Sequence, residues 1–218
     1  MEIDIPDSEI KVGIPGPQTS VQEFSPPTGI IVSPPGNESI AFDVNDDGIE
    51  DIEFNAVHTD FNMNSEAAQS AVRSLHESLQ IAVCNNTDTT FTCMETFQGR
   101  VYIFTYTDHQ FHSCTGTEAI ATVTNKYPGI YHPGDSLTGN HEWMAGEFTL
   151  AGYNYANSEF FGQDTVDIIQ RFTGTWGATS EKYLLFRLTE STAPVYGWLK
   201  ITATKSSVLI FELAYQEI

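Results

Sequence analysis

The sequence predicts an all-β fold: an antiparallel β-sandwich of jelly-roll or lectin-like type, with one short helix and an extended, Pro-rich amino-terminal arm. Three observations carry this expectation. Short runs of β-branched and aromatic residues recur along most of the chain, punctuated by Gly, Pro, Asn and Asp. These runs never alternate with long helical patterns, so the βαβ rhythm of a parallel sheet is missing. Hydrophobic residues make up 40% of the 218 and aromatics 12%, enough to build a packed core.

Each element follows from its own residues. Residues 1–38 hold seven of the ten prolines and read as a stiff, extended arm or linker ahead of a single domain at 39–218. Ile40 and Phe42, then Ile52 and Phe54, alternate with polar neighbours as half-buried strands do. Ala68, Val72, Leu75 and Leu79 recur at helical spacing, with Asn64 or Ser65 as an N-cap, and predict the one helix over 65–77. Residues 79–83 also read as a strand. Further strands are expected at 100–106, 120–124, 147–150, 166–172, 183–188, 197–204 and 208–215. Between 127 and 143, Pro128, Gly129, Pro133, Gly134, Gly139 and Asn140 predict a long surface loop, or a pair of turns around a short strand.

Charge narrows the function classes. Nine basic against 29 acidic side chains leave a net charge of −20. Phosphate recognition needs a basic face, so nucleic acid is excluded as a partner, and anionic membrane surfaces are disfavoured. No apolar run reaches the ~18–20 residues of a spanning helix, so the chain is not expected to cross a membrane. Cations are favoured.

The densest acidic stretch is patterned. Asp43, Asn45, Asp47 and Asp51 stand at positions 1, 3, 5 and 9 of a D-x-N-x-D-G-x-x-D loop, and Ile49 at position 7 offers its backbone carbonyl. Alternate residues in a tight loop turn their oxygens to one centre, and Gly48 allows the sharp turn. Several hard oxygens suit Ca²⁺. Phe54 at position 12 and strand-like flanks separate the loop from an EF-hand, and the Ile49 side chain is expected to pack on the core. The aspartate spacing resembles the calcium loops of integrin-type β-propeller hairpins and of thrombospondin type 3 repeats.

Cys84 and Cys93 flank the polar stretch 85–90, which reads as a hairpin turn that a disulfide would close, as in an oxidising compartment. Cys114 is left over, free or paired to either of the others. The expected setting is extracellular or cell-surface, with Met1 standing in place of a removed export signal and the chain lipid-anchored through that segment. The alternative is a cytoplasmic protein starting at its natural Met.

Towards the carboxy terminus the chain reads Trp176-Gly177, then Tyr183-Leu184-Leu185-Phe186-Arg187-Leu188, then Tyr196-Gly197-Trp198, then Ala214-Tyr215. Upstream lie Pro133-Gly134-Asp135-Ser136-Leu137 and Trp143. With the aspartate loop ahead of them, these motifs resemble a group of secreted or surface-anchored bacterial proteins of Bacteroidetes type, mostly of unassigned function. The likeness covers about 39–215 in order, on short motifs, and leaves 55–125 unmatched. It implies an exported β-rich domain, often a lipoprotein, and no catalytic residues. Tyr183, Phe186, Trp198, Phe211 and Tyr215 are expected to form a core layer, with Gly197 where two backbones approach closely.

Chemistry beyond the loop is sparse. His109, His112 and Cys114 form one candidate metal cluster, and His132, Asp135, His141 and Glu142 crowd a second region. The nucleophile elbow, P-loop and zinc-protease motifs are missing. Trp143, Tyr153 and Tyr155 are the leading candidates to stack on a ligand, with Tyr127, Tyr131, Phe160 and Phe161 as further loop aromatics. The expected function is therefore a calcium-binding surface domain that recognises a glycan or another surface protein. The alternatives are a carbohydrate-active hydrolase with paired carboxylates in a cleft, or a structural stalk or matrix protein.

Overall fold

The computed structural model describes residues 10–62, 64–107, 116–137, 140–158, 165–177, 180–189 and 194–217. Thirteen strands form among these described residues: β1 (Ser20–Ile31), β2 (Gly36–Phe42), β3 (Ile52–Asn62), β4 (Ser65–Ser74), β5 (Leu79–Phe97), β6 (Arg100–Thr107), β7 (Glu118–Pro128), β8 (Glu142–Met144), β9 (Glu147–Asn157), β10 (Thr165–Thr173), β11 (Lys182–Leu188), β12 (Val195–Thr204) and β13 (Ser207–Glu217). The all-β expectation holds, and each strand read from the sequence is present. Among the described residues no helix forms, so none is long and apolar enough to cross a membrane.

The strands join in one mixed sheet rather than two separate ones. Its order is β1-β13-β12-β11-β5-β6-β10-β9-β4-β3-β2, with β7 and β8 also paired to β5. All pairs are antiparallel except β10 with β6. The 19-residue β5 ties the halves together, its start beside β11 and β8 and its end between β7 and β6. The sheet folds over until β1 and β2, at opposite ends of the order, touch, which nearly closes it. Inward side chains from both halves then meet in one core: Leu184, Phe186, Leu199, Ile201 and Ile210 from one, Ile52, Phe54, Val72, Phe148 and Leu150 from the other.

Three sequence expectations are corrected here. Residues 65–77 are not helix: 75–77 is bend and turn, and Ser65–Ser74 is strand β4, paired along its length with β3 and β9 with one register shift in each pairing. Its alanines favour helix in isolation, but Ala68, Ser70 and Val72 also alternate, and their small size lets the opposing half come close. Ser70 Oγ donates across the core to the Thr204 carbonyl at 2.6 Å. Second, the Pro-rich stretch is no free arm from residue 10 onward. β1 pairs with β13 along its length, and a register shift between Glu23 and Thr28 absorbs Pro26 and Pro27, which cannot donate to a ladder. Ile10 and Val12 are buried with Leu137, Leu185 and Trp198 in a second core on the outer face of β5, β11, β12 and β13. A boundary at residue 38 would cut through β2. Third, Cys84 and Cys93 do not flank a hairpin. They lie on the single strand β5, nine positions or roughly 30 Å apart, and Cys84 is a free thiol, so no bridge joins them.

The predicted aromatic layer splits by strand alternation. Phe186 faces the main core, with Tyr215 packed against it, while Tyr183 and Trp198 face the outer one. Gly197 sits where any Cβ would run into the Phe186 ring and the Ala214 carbonyl, the close approach that the sequence suggested.

Candidate functional site

The aspartate loop is the turn of the β2–β3 hairpin, and β2 ends the sheet order. Its short polar side chains fold back onto its own amides. Asp43 accepts from Gly48 N at 2.6 Å and from Asn45 N and Asp47 N at 3.2 Å each. Asp47 Oδ1 accepts from Ile49 N at 2.9 Å, and Asn45 Nδ2 donates to Asp47 Oδ2 at 3.0 Å. Gly48 adopts the positive φ that the pattern requires, 89°. Desolvation pushes the Asp43 carboxyl up, but the amides of Gly48, Asn45, Asp47 and Asp46 together hold it below its ordinary value. The Ile49 side chain is 60% exposed, against the expectation that it packs inward; Val44 fills that role, fully buried.

Asp51 has turned away from the rest of the loop. Only 1% exposed, it accepts from Val44 N at 2.8 Å and from His76 Nε2 at 2.6 Å, and His76 Nδ1 contacts Ser78 Oγ. Its backbone closes the clamp: Asp51 N donates to the Phe42 carbonyl, and the Asp51 carbonyl accepts from Leu75 N at 2.7 Å. Burial raises the Asp51 carboxyl above its usual range, opposed by the Val44 amide and by His76. Among the described residues, no three His, Cys, Asp or Glu side chains are already gathered as metal ligands.

A second polar site was not foreseen. The outer face of β2, β3, β4, β9 and β10 forms an open groove of about 720 Å³. Strand register builds it in rows. Asn37, Val57, Gln69, Gly152 and Thr173 form one, while Thr59, Ala67, Asn154 and Arg171 form the next. Ser39 and Asn55 lie to the other side, then Glu53, Arg73 and Glu147. Ala67 and Gly152 keep the floor low, and a side chain at Gly152 would strike Thr173 Oγ1. Glu53 is ion-paired to Arg73 at 2.9 Å. Tyr153 lines this groove and a neighbouring one of about 580 Å³ bounded by Gly174 and Lys205. Its ring packs on Phe172 at 4.8 Å and lies under Lys205 Nζ at 4.2 Å. The groove escaped sequence reading because its outward residues alternate along strands distant in sequence, one of them read as a helix. The polar alternation at 53, 55 and 59 and at 69 and 73 is the signal that marks it.

The other predicted sites disperse. Trp143 is half-buried in an aromatic run with His141 at 5.6 Å and Tyr196 at 5.8 Å, and Arg187 covers its ring. Tyr155 is half-buried between Glu66 and Gln170 in the ladder and does not line the groove. His132, Asp135, His141 and Glu142 serve separate local ends: Asp135 accepts from His132 N, His141 binds the Ser136 carbonyl, and Glu142 pairs with Lys126. Burial pushes the neighbouring Tyr131 hydroxyl up to about 12. His109, His112, Cys114, Phe160 and Phe161 lie outside the described residues. No protein-family model, curated protein or solved structure matches the chain.

Proposed function

We propose that this chain is an exported, cell-surface domain that binds glycans in the groove over β2, β3, β4, β9 and β10, with Ca²⁺ stiffening the hairpin at the groove's end. The groove carries the reading: a shallow trough lined by amides, hydroxyls and few charges, with the Tyr153 ring beside Lys205 in the neighbouring groove. Sugars offer hydroxyls that such groups satisfy and C–H faces that a ring can cover. The folded-over sheet with a polar outer face is also the arrangement of lectin-type jelly rolls, the finer class that we assign.

For Ca²⁺, the donor set fits a hard cation: Asp43, Asn45, Asp47 and the Ile49 carbonyl would hold it, while Asp51, bound to Val44 N and His76, braces the loop from within. The aspartates that accept amide hydrogen bonds keep further lone pairs for an ion. The site lies one residue-pair from Glu53 at the groove's end, so ordering the loop orders the groove. Such incomplete loops belong to the weak end of calcium affinity, where only extracellular concentrations fill them. That need, with the resemblance to bacterial surface proteins, supports the exported location.

A hydrolase on this fold is less well supported. It needs a free acid and a base, and in the groove Glu53 is held by Arg73. A glycan array read with Ca²⁺ and with EDTA tests the proposal. Binding that depends on Asn55 and Gln69, measured with Asn55→Ala and Gln69→Ala, is the expected result. A blank array in both conditions refutes it.

A further inference from the structure

We infer that the groove selects glycans carrying an anionic substituent, a carboxylate or sulfate ester, and that Arg171 is the residue that reads it; this rests on the glycan-binding reading above. On a chain with 29 acidic and nine basic side chains, an exposed arginine with no acidic partner and no ring beneath it stands out. Arg73 is bonded to Glu53, and Arg187 to Gln80 and the Trp143 ring. Arg171 has no acidic partner among the described residues, is exposed, and lines the groove beside Asn154 and Thr173. Its neighbours there are amides and hydroxyls, which accept or donate hydrogen bonds without neutralising it. A guanidinium in that setting matches two oxygens of a planar carboxylate, or of a sulfate, with paired hydrogen bonds.

The groove is polar along its length as well as across it. Arg171 stands at one end, in register with Asn154, while Glu147 and Glu53 flank Arg73 at the other. Residues 147 and 154 are seven positions apart on β9, so the ends are roughly 20 Å apart. An oligosaccharide therefore lies with its anionic unit at Arg171 and neutral units towards the glutamates. A polymer charged at every unit meets repulsion at the far end and from the net charge of −20.

The test uses the full chain with Ca²⁺ present and three probes of equal length: a neutral oligosaccharide ending in one uronic acid, its methyl ester with the charge removed, and the same oligosaccharide ending in one sulfate ester. Titration calorimetry should show the acid oligomer or the sulfated one binding about tenfold or more tighter than the neutral ester. Arg171→Gln should erase that preference while leaving the thermal midpoint unchanged, and Arg171→Lys should restore part of it. Preference for the sulfated probe alone assigns the anion as a sulfate ester; preference for the acid assigns a carboxylate. Equal binding of acid, sulfate and ester overturns the inference, as does a preference that survives Arg171→Gln. If array glycans bind but all three probes fail, the anionic class is wrong and the glycan reading stands. If no glycan binds at all, both fall.

Discussion

Glu66 illustrates how single side chains are spent in this acidic molecule. Its carboxylate faces Lys205 Nζ and His58 Nε2, the latter at 2.9 Å, and Lys205 in turn covers the Tyr153 ring. The hydrogen bond from Lys205 lowers the Glu66 pKa below 4.5, desolvation opposes it, and the charges of Lys205 and His58 add to it. A depressed folded-state value means stability that is present above the unfolded pKa and lost as pH falls through the folded one. Glu66→Gln should therefore lower the thermal midpoint at neutral pH, by about 1 kcal/mol or less for groups this exposed. The gap to wild type should close as pH drops below about 4.5. Melts of both proteins across that range decide it; a gap that persists unchanged into acid would mean the carboxylate acts through packing rather than charge.

At the scale of elements, the chain from residue 10 to the start of β1 behaves as part of the fold. Val12 N donates to the Asp135 carbonyl at 2.9 Å, Gly134 N donates to the Val12 carbonyl, and Leu137 N donates to the Ile10 carbonyl at 2.8 Å. This short ladder lays Ile10 and Val12 over Trp198 and Leu185. Val12→Ala should cost about 1.5 kcal/mol. Removing residues 1–19 should expose the Trp198 ring, red-shift its fluorescence and increase dye binding to apolar surface. An unchanged spectrum would show that the outer core holds without this segment. The expectation of a free arm fails because proline density does not itself mean isolation: Pro26 and Pro27 sit in the register shift of an otherwise paired edge strand. The helix reading failed because alanine is chosen in β4 for size, at a place where two halves of a sheet nearly touch. By contrast, Tyr196-Gly197-Trp198 and the strands around it were legible, since aromatic and β-branched alternation carries its own period. The aspartate loop was legible as a turn down to Gly48, but not the inward swing of Asp51, which depends on His76 from the connection between β4 and β5.

For the whole molecule, charge sets the conditions under which the sheet closes. A net charge of −20 on one compact body is self-repulsion that folding concentrates, and only nine basic groups relieve it. β1 and β2 touch with few contacts, and the acidic loop hangs from β2, so repulsion acts where closure is weakest. Screening and binding then separate cleanly. Sodium chloride should raise the midpoint gradually, because it shortens the reach of every charge without choosing among them. Ca²⁺ added to stripped protein at matched ionic strength should raise it further, by about 2.7 kcal/mol at a hundredfold excess over its dissociation constant. For a chain of this length that corresponds to about 5–10 °C. Mg²⁺, which demands tighter octahedral geometry, should match sodium chloride and no more. Asp43→Ala should abolish the calcium increment and keep the salt one, since it removes the carboxylate on which the loop's amides converge. If Ca²⁺ adds nothing beyond ionic strength, the loop is an acidic turn held by its own hydrogen bonds, and the groove must recognise its ligand without a metal.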